Sequence, residues 1–251
     1  MGAFNCKGSH DFNQEGRFRM EREKTVGIIG GMGPEATVDL MQRIIDLTPA
    51  KDDIDHIRCL VDNNPKIPSR INAIIEGNGE DPGPCMADMG KQLESWGADF
   101  LVIPCNTAHY YYDAVQNAVN IPVINLIDLV VNHVKTNFPD HDKIGILASP
   151  AVAITGLYTK RLEKLGLKDV WPDPSYQDQR FSVIKEVKKG NTNTRVKENY
   201  KKVCENLAYK NATVVIVACT ELSALRGPLP ITEVDAAQIL AAEIVKVVKN
   251  L

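Results

Sequence analysis

Short apolar runs alternate along this chain with stretches of helical periodicity. Runs of consecutive apolar residues predict buried strands at 26–30, 57–61, 100–104, 123–125, 144–148 and 214–218. Between them, apolar positions recur with helical spacing at 35–46, 85–96, 154–165 and 236–248. Alternating strands and helices are typical of parallel βαβ units with helices on both sheet faces. The pattern therefore predicts an α/β fold with mostly parallel sheets.

Two of these strands end in a cysteine followed by polar residues. FLVIPCNTAH contains Cys105, and VVIVACTELS contains Cys219. Parallel sheets present their reactive groups outside the carboxyl ends of the strands. We therefore expect both thiols to face a pocket in which a small molecule can lie between two sulfur atoms.

A second pair of segments also repeats. TVGIIGGMGP (25–34) and KIGILASPA (143–151) are apolar runs that break into small residues, and they precede the two cysteines at nearly equal distances. The repeat predicts an internal duplication with the active site in the cleft between two similar lobes. We place the first lobe at 25–125, with the closing helix 232–251 packed back on it, and the second at 126–231. Chance similarity between buried strands is the alternative, which the matching Cys, Thr and spacing disfavour.

Composition narrows the functional classes. The chain has 251 residues, 44% hydrophobic and 24% charged, and a net charge of −3, which gives no reason to expect a nucleic acid or an anionic membrane as partner. No apolar stretch approaches the roughly 20 residues that span a bilayer. Residues 1–24 are polar and lack the apolar core of a secretory signal, so we expect a flexible extension and a cytoplasmic location.

The six cysteines are scattered without a C-x-x-C pair. This usage favours reduced thiols over disulfides or a zinc site, and the histidines show no metal-ligand spacing, so no metal is predicted. Cys59 and Cys204 fall within strand-like and helix-like runs and are interpreted as buried apolar side chains.

The glycine loop after the first strand allows a competing interpretation. Residues 31–36 fit G-x-G-x-x-A between a strand and a helix, the pattern of a dinucleotide-binding dehydrogenase. Pro34 removes one backbone N–H from the pyrophosphate cradle, and the acid at the end of the next strand, Asp62, lies 62 − 33 = 29 positions beyond Gly33 rather than about 20. Both features disfavour the dehydrogenase.

Five motifs, in order, resemble the aspartate/glutamate racemase superfamily and specifically its aspartate racemase branch. They are GGMGPEAT, NNPKIPSR, GADFLVIPCNTAH, ILAS and ACTE, spread between Gly30 and Glu221. The resemblance implies two similar α/β lobes, often a homodimer, and racemisation without pyridoxal phosphate or another cofactor. Glutamate racemases carry an Asp-Ser-Gly loop and a later histidine where this chain has Gly31-Met32 and Glu221, which favours the aspartate-like branch.

Racemisation explains a pair of thiols. Inverting an α-carbon requires a base on one face and an acid on the other. We therefore expect Cys105 and Cys219 to be the catalytic pair, one as thiolate and the other as thiol, with roles that exchange with the handedness of the substrate. A coupled pair would titrate with macroscopic pKa values that belong to neither residue alone.

Polar side chains beside the thiols are candidates for substrate binding. Asn106, Thr107 and Thr220 follow the strands, Ser149 occupies the equivalent place after 144–148, and the resemblance adds Met32. Their hydroxyl and amide groups, with helix N-terminal N–H groups, can bind the substrate carboxylate as negative charge develops on it. The alternative is that the Asn and Thr side chains only cap helices.

A dicarboxylic substrate also needs a cation for its side chain. Arg70 is the main candidate because a guanidinium grips a carboxylate through two hydrogen bonds; a solvated role at a helix start is the alternative. The family often reads IPDR here, whereas this chain has Ser69. The resemblance also suggests Lys188, with a solvated lysine as the alternative, and Glu221 as a group that orients the ammonium or a thiol.

These observations predict a racemase of L- and D-aspartate. The alternatives are a racemase of glutamate or another amino acid, and a non-catalytic protein that senses an acidic amino acid.

Overall fold

The computed structural model describes residues 23–223, 225 and 229–251, so the predicted extension falls largely outside the described residues. The strands are β1 (Val26–Gly30), β2 (Cys59–Asn63), β3 (Phe100–Val102), β4 (Lys143–Ala148), β5 (Lys168–Val170), β6 (Val214–Ala218) and β7 (Thr232–Asp235). The helices are α1 (Pro34–Leu47), α2 (Pro82–Ser95), α3 (Tyr112–Gln116), α4 (Leu126–Asn137), α5 (Pro150–Thr155), α6 (Thr159–Lys164), α7 (Pro174–Lys188), α8 (Thr194–Tyr209), α9 (Thr220–Ser223) and α10 (Ala236–Lys249). Short 3₁₀ turns cover Asp53–Asp55 and Thr107–Tyr111, and a π-helical turn covers Asn72–Glu76.

The strands form two parallel sheets. The first has the order β2-β1-β3 and the second the order β5-β4-β6-β7. Every strand pairing is parallel, so the carboxyl ends of the strands meet at one edge of each sheet. The predicted α/β fold with two lobes of parallel strands flanked by helices is confirmed.

A continuous apolar core lies between the two sheets. Ile28 of β1, Ile146 of β4 and Ile216 of β6 all belong to it, together with apolar faces of α4 and α10. Alternate residues on the same strands point to outer cores: Ile29 packs beneath α2, and Leu147 packs beneath α7 and α8. Because each central strand buries both faces, its sequence reads as an unbroken apolar run.

Side chains at the element boundaries explain where helices begin. The Asp81 carboxylate accepts a hydrogen bond from the Gly83 amide at the start of α2, at 2.8 Å. The helices α4, α8 and α10 are capped in the same way, by the side chains of Asn125, Asn193 and Asp235. Such caps satisfy backbone donors that have no partner within the helix. No helix among the described residues has the length and apolarity needed to traverse a membrane.

Two predicted elements are wrong. The strand predicted at 123–125 is a single bridge between Leu101 and Val123, because Asn125 already caps α4. The helix predicted at 154–165 is two helices, α5 and α6, separated at Gly156, whose φ of 64° is left-handed and suits glycine.

The last helix crosses between the sheets. α10 follows β7 of the second sheet, but it packs against α1 and α4. Lys249 at its end donates hydrogen bonds to Glu23 and to the Asp55 carbonyl oxygen, both 2.5 Å away. These contacts lie beside the first sheet. The division of the chain into domains stays a prediction.

A buried arginine ties α1 to the second sheet. Arg43 is 5% exposed, and its Nη1 donates to Asp235 and Gln238, each at 2.9 Å, while its Nε donates to Asp39 at 2.7 Å. Burial alone would lower the pKa of Arg43, but Asp235 and Asp39 raise it above its ordinary value. Asp235 also accepts a hydrogen bond from the Ser223 hydroxyl, so one carboxylate joins α1, α9 and α10.

The Arg43→Met variant should be less stable than the wild-type protein by about 3 kcal/mol, because it leaves the Asp235 carboxylate without its buried partner. Urea unfolding measures the difference. The Lys91→Met variant is the control: it removes an exposed ion pair with Asp88 and should cost at most about 1 kcal/mol. Equal stability of R43M and K91M would contradict a structural role for the Arg43 cluster.

Candidate active site

A cavity of about 110 Å³ lies at the carboxyl ends of the strands, between the two lobes. Its walls come from both sheets and from α7. The lining residues are Met32, Arg70, Ile71, Pro104, Cys105, Asn106, Thr107, Ser149, Phe181, Ile184, Ala218, Cys219 and Thr220. The cavity therefore combines polar and apolar side chains. It suits a small molecule.

Both cysteines at the strand ends line this cavity. Cys105 lies just beyond β3, and Cys219 directly follows β6. Each is half-buried, and the chain after each turns at once into a short helix: the Asn106 carbonyl accepts from the His109 amide, and the Cys219 carbonyl accepts from the Leu222 amide. Equivalent strand ends of the two sheets thus bring two sulfur atoms to one space.

Other described cysteines have a different character. Burial raises the pKa of Cys59 to about 11 and that of Cys204 to about 12, so both are protonated at neutral pH. Burial also raises the pKa of Cys85, with smaller contributions from Asp62 and other carboxylates. None of the three lines the cavity. All five described cysteines are thiols, and Cys6 lies outside the described residues.

Two hydrogen bonds cross between the lobes at the cavity. The hydroxyl oxygens of Thr107 and Ser149 lie 2.9 Å apart, and the Tyr158 hydroxyl donates to Asn106 Oδ1 at 2.6 Å. Tyr158 is fully buried, and burial raises its pKa, so its hydroxyl stays protonated and can only donate to that oxygen. The bond fixes the orientation of the Asn106 amide. Ser149 also caps α5 through the Val152 amide, so it both caps a helix and faces the cavity.

His109 holds the Cys105 loop from behind. Its Nε2 accepts a hydrogen bond from the Leu126 amide at 3.0 Å, so Nδ1 carries the proton and donates to the Cys105 carbonyl at 2.9 Å. His109 is 3% exposed, and burial lowers its pKa to about 4. The neutral ring therefore connects the loop after β3 to the start of α4.

Arg70 reaches the cavity from the loop after β2. Its Nη1 donates to the carbonyl oxygens of Pro68 at 3.0 Å and Ile67 at 3.4 Å. Both bonds use one nitrogen and brace the guanidinium. Ser69 replaces the acid of the family motif. Its hydroxyl donates to Asn72 Oδ1 at 3.0 Å and accepts from the Asn72 backbone amide at 3.2 Å, at the start of the π-helical turn.

The glycine loop contributes Met32 to the cavity wall. The Gly31 amide donates to the Thr37 hydroxyl at 3.0 Å, so this N–H is used inside the protein. A Cβ at Gly31 would lie 2.2 Å from the Asn64 carbonyl oxygen, and its φ is 93°, so glycine is required by packing against the loop after β2. Gly31 therefore has a structural role that needs no dinucleotide.

Eight of the ten predicted site residues line the cavity together. The other two are Lys188 and Glu221, which lie at the end of α7 and within α9 and whose side chains fall outside what the structure describes. Sequence reasoning missed the apolar lining residues Ile71, Pro104, Phe181, Ile184 and Ala218. Phe181 and Ile184 stand three positions apart on α7, a helical spacing that could have identified them.

A profile of the Asp/Glu/hydantoin racemase family matches residues 29–244. The chain belongs to this family. It is 26% identical over 219 residues to the broad specificity amino-acid racemase RacX of Bacillus subtilis, covering 84% of this chain and 93% of that protein. The structure of the Picrophilus torridus aspartate racemase has a TM-score of 0.79 at 32% identity, covering 90% of this chain and 94% of the other.

A more distant structure shares the two-lobed fold. A glutamate racemase isoform from Bacillus anthracis has a TM-score of 0.64 at 19% identity, covering 91% of this chain and 82% of the other. Together these findings show that the chain is an amino-acid racemase and confirm its resemblance to the aspartate racemase branch. The homodimer and the cytoplasmic location stay predictions.

The racemase should lose stability on acidification in part through His109. An unfolded histidine has a pKa near 6.5 and the folded one about 4, so the stability from the neutral ring is complete above pH 6.5 and is lost as the pH falls toward 4. From about pH 7.5 to about pH 5, the wild-type protein should lose about 2 kcal/mol more than His109→Gln, which can donate and accept but does not titrate. Urea unfolding at both pH values measures this, and equal losses in the two proteins would exclude it.

Proposed function

We propose that this racemase interconverts L- and D-aspartate without a cofactor, with Cys105 and Cys219 as the two acid–base groups. The observation that supports the proposal most directly is that two thiols from equivalent strand ends of the two sheets line one small cavity.

The proton transfer follows from this pairing. One cysteine, as thiolate, removes the α-proton from one face of the substrate, and the other, as thiol, delivers a proton to the opposite face. After one turnover the first cysteine is protonated and the second is ionised, which is the state that acts on the other enantiomer. The number of protons on the enzyme and the substrate is unchanged.

The polar residues of the cavity can stabilise the charge that develops during this transfer. When the α-proton leaves, negative charge spreads onto the substrate carboxylate, and fixed hydrogen-bond donors aimed at it lower the barrier. Asn106 and Thr107 from the first lobe, with Ser149 and Thr220 from the second, line the same space as the thiols. The bond from Tyr158 and the Thr107–Ser149 contact hold three of these groups before the substrate binds.

Arg70 favours a substrate with a second carboxylate. Arg70 lines the cavity, and two backbone carbonyls brace a single one of its guanidinium nitrogens. The remaining nitrogens have the geometry that binds a carboxylate through two hydrogen bonds. Picrophilus torridus aspartate racemase, 32% identical, is named for such a substrate.

A broader substrate range is the second candidate. Ile71, Phe181 and Ile184 form an apolar part of the wall that can accept an uncharged side chain. The relative from Bacillus subtilis is named for broad specificity. The substrate, rather than the reaction, separates these two candidates.

Incubation with L-aspartate in deuterated water tests the reaction. The wild-type protein should incorporate deuterium at the α-carbon and form D-aspartate, detected by chiral chromatography with mass spectrometry. Cys105→Ser and Cys219→Ser should each reduce the rate by at least about 100-fold, because a serine hydroxyl is a far weaker acid than a thiol. Cys85→Ser, which changes a half-buried thiol outside the cavity, is the control and should retain activity.

Unchanged inversion in both cysteine variants would refute the assignment of the pair. Saturable binding of aspartate to the wild-type protein, with neither exchange nor inversion, would indicate a sensor that uses the same cleft.

Arg70→Met tests the substrate. It should raise the KM for aspartate by about 10-fold or more through loss of a charge-assisted pair, and change the KM for alanine little. Arg70→Lys should fall between the two proteins because it keeps the charge without the fork of donors. Lys66→Met, an exposed cation in the same loop, is the control. Equal effects of R70M on aspartate and alanine would favour the broad-specificity candidate.

A further inference from the structure

Arg180 is a buried cation behind the cavity wall. It lies on α7, its side chain is 2% exposed, and its Nε and Nη1 atoms are buried without a hydrogen-bond partner in the part of the chain that the structure describes. Its guanidinium carbon lies 5.8 Å from the centre of the Trp171 ring, a cation–π contact that leaves both N–H groups unsatisfied.

Such a position is costly for stability. Burial lowers the pKa of Arg180, which expresses the loss of hydration around its charge. A buried donor without a partner is destabilising, and an apolar side chain of similar length in its place is often neutral or stabilising. Unsatisfied buried groups of this kind are rare in native proteins and commonly mark functional sites.

The surroundings of Arg180 point to one of the two thiols. Phe181, the next residue, and Ile184, one helical turn further on, both line the cavity. The helix that carries them packs against α9, which begins directly after Cys219. Although burial dominates, the electrostatic effect of Cys219 on Arg180 acts in the opposite direction and raises the pKa of the guanidinium. This attraction is mutual, so the guanidinium stabilises negative charge on that sulfur.

We propose that Arg180 is a positioning residue that acts on Cys219. As a fixed buried cation, it holds Cys219 as the thiolate in the resting enzyme and leaves Cys105 as the thiol. The inference rests on the proposed function, and it adds an asymmetry that the two-base scheme does not contain. The enantiomer whose α-proton faces Cys219 meets a base that is ready. The other enantiomer needs the proton to move from Cys105 to Cys219 first.

Arg180 differs from the other charged and titratable groups near Cys219. Cys105 and Arg70 share the cavity with it, and the side chains of Lys188 and Glu221 fall outside the described residues. Arg70 lines the cavity and can therefore be neutralised by a bound carboxylate. Arg180 does not line it, so its charge acts on the thiol whether or not a substrate is bound.

The test measures alkylation of each cysteine by iodoacetamide as a function of pH, with peptide mass spectrometry and without substrate. In Arg180→Met the midpoint of the Cys219 profile should move upward by about one pH unit, so that alkylation at pH values below both midpoints slows about 10-fold. The Cys105 profile in the same sample should not rise. Arg180→Lys retains the charge and should keep a midpoint close to that of the wild-type protein.

A matched control removes a cation from the same helix. Lys185 is exposed on α7, where its ammonium lies 4.2 Å from the centre of the Phe181 ring. Lys185→Met should leave the Cys219 profile unchanged because water screens an exposed charge. A shift in K185M as large as that in R180M would overturn the inference.

Stability separates this role from a structural one. R180M should unfold at the same temperature as the wild-type protein or at a higher one, while its kcat/KM for racemisation falls about 10-fold at pH values below both Cys219 midpoints and recovers at higher pH. R180K should recover most of the activity. A clear loss of stability or failure to fold in R180M, or an unmoved Cys219 profile, would overturn the inference.

The inference and the proposed function can fail separately. Racemisation by the wild-type protein tests the function, whereas alkylation of Cys219 needs no turnover. A shifted alkylation profile in a protein that does not racemise aspartate would retain the Arg180–Cys219 pair and reject the proposed substrate. Racemisation of aspartate together with an unshifted Cys219 profile would retain the proposed substrate and reject the Arg180–Cys219 pair.

Discussion

The apolar core between the two parallel sheets is the contact on which the site depends. Ile28 of the first sheet and Ile146 and Ile216 of the second belong to one continuous cluster. Close packing leaves this interface little freedom, because changing the volume of a core side chain by even one methylene group affects a native core. The carboxyl ends of β3 and β6 are therefore held facing a common space. The position of each thiol follows from the strand that precedes it, and the two do not need a direct contact to stay in place.

Polar contacts refine what the core has placed. The bond from Tyr158 to Asn106 and the contact between Thr107 and Ser149 join the lobes at the cavity itself, where charge develops during proton abstraction. Behind the Cys105 loop, the His109 ring bonds to two backbone groups, the Cys105 carbonyl oxygen and the Leu126 amide. Tyr158, Asn106, Thr107 and His109 are buried, so their bonds form in a medium of low dielectric constant, which strengthens them and limits their reorganisation during catalysis. Arg180 is the exception among these groups, because its donors are buried without such compensation.

The central strands and most of the site could be predicted from the sequence because their signals are local. β1 and β6 are apolar runs buried on both faces, and Cys105 comes shortly after β3, as Cys219 does directly after β6. The edge strands β5 and β7 escaped prediction because KDV and TEVD are short and largely polar, and their pairing is set by a neighbour distant in sequence. Nothing in the sequence around Arg180 indicates that an arginine is buried there. Its burial follows from how α7 packs, which is a property of the assembled fold.

The route of the chain between the sheets has a mechanical consequence. It crosses from the first sheet to the second through α4 and returns through α10, and these two helices pack side by side. Because the two chain connections lie together, the rest of the attachment between the sheets is noncovalent: it includes the apolar core and the side-chain bonds at the cavity. At the cavity, the Thr107–Ser149 and Tyr158–Asn106 bonds join its two walls, so any separation of these walls must break both bonds.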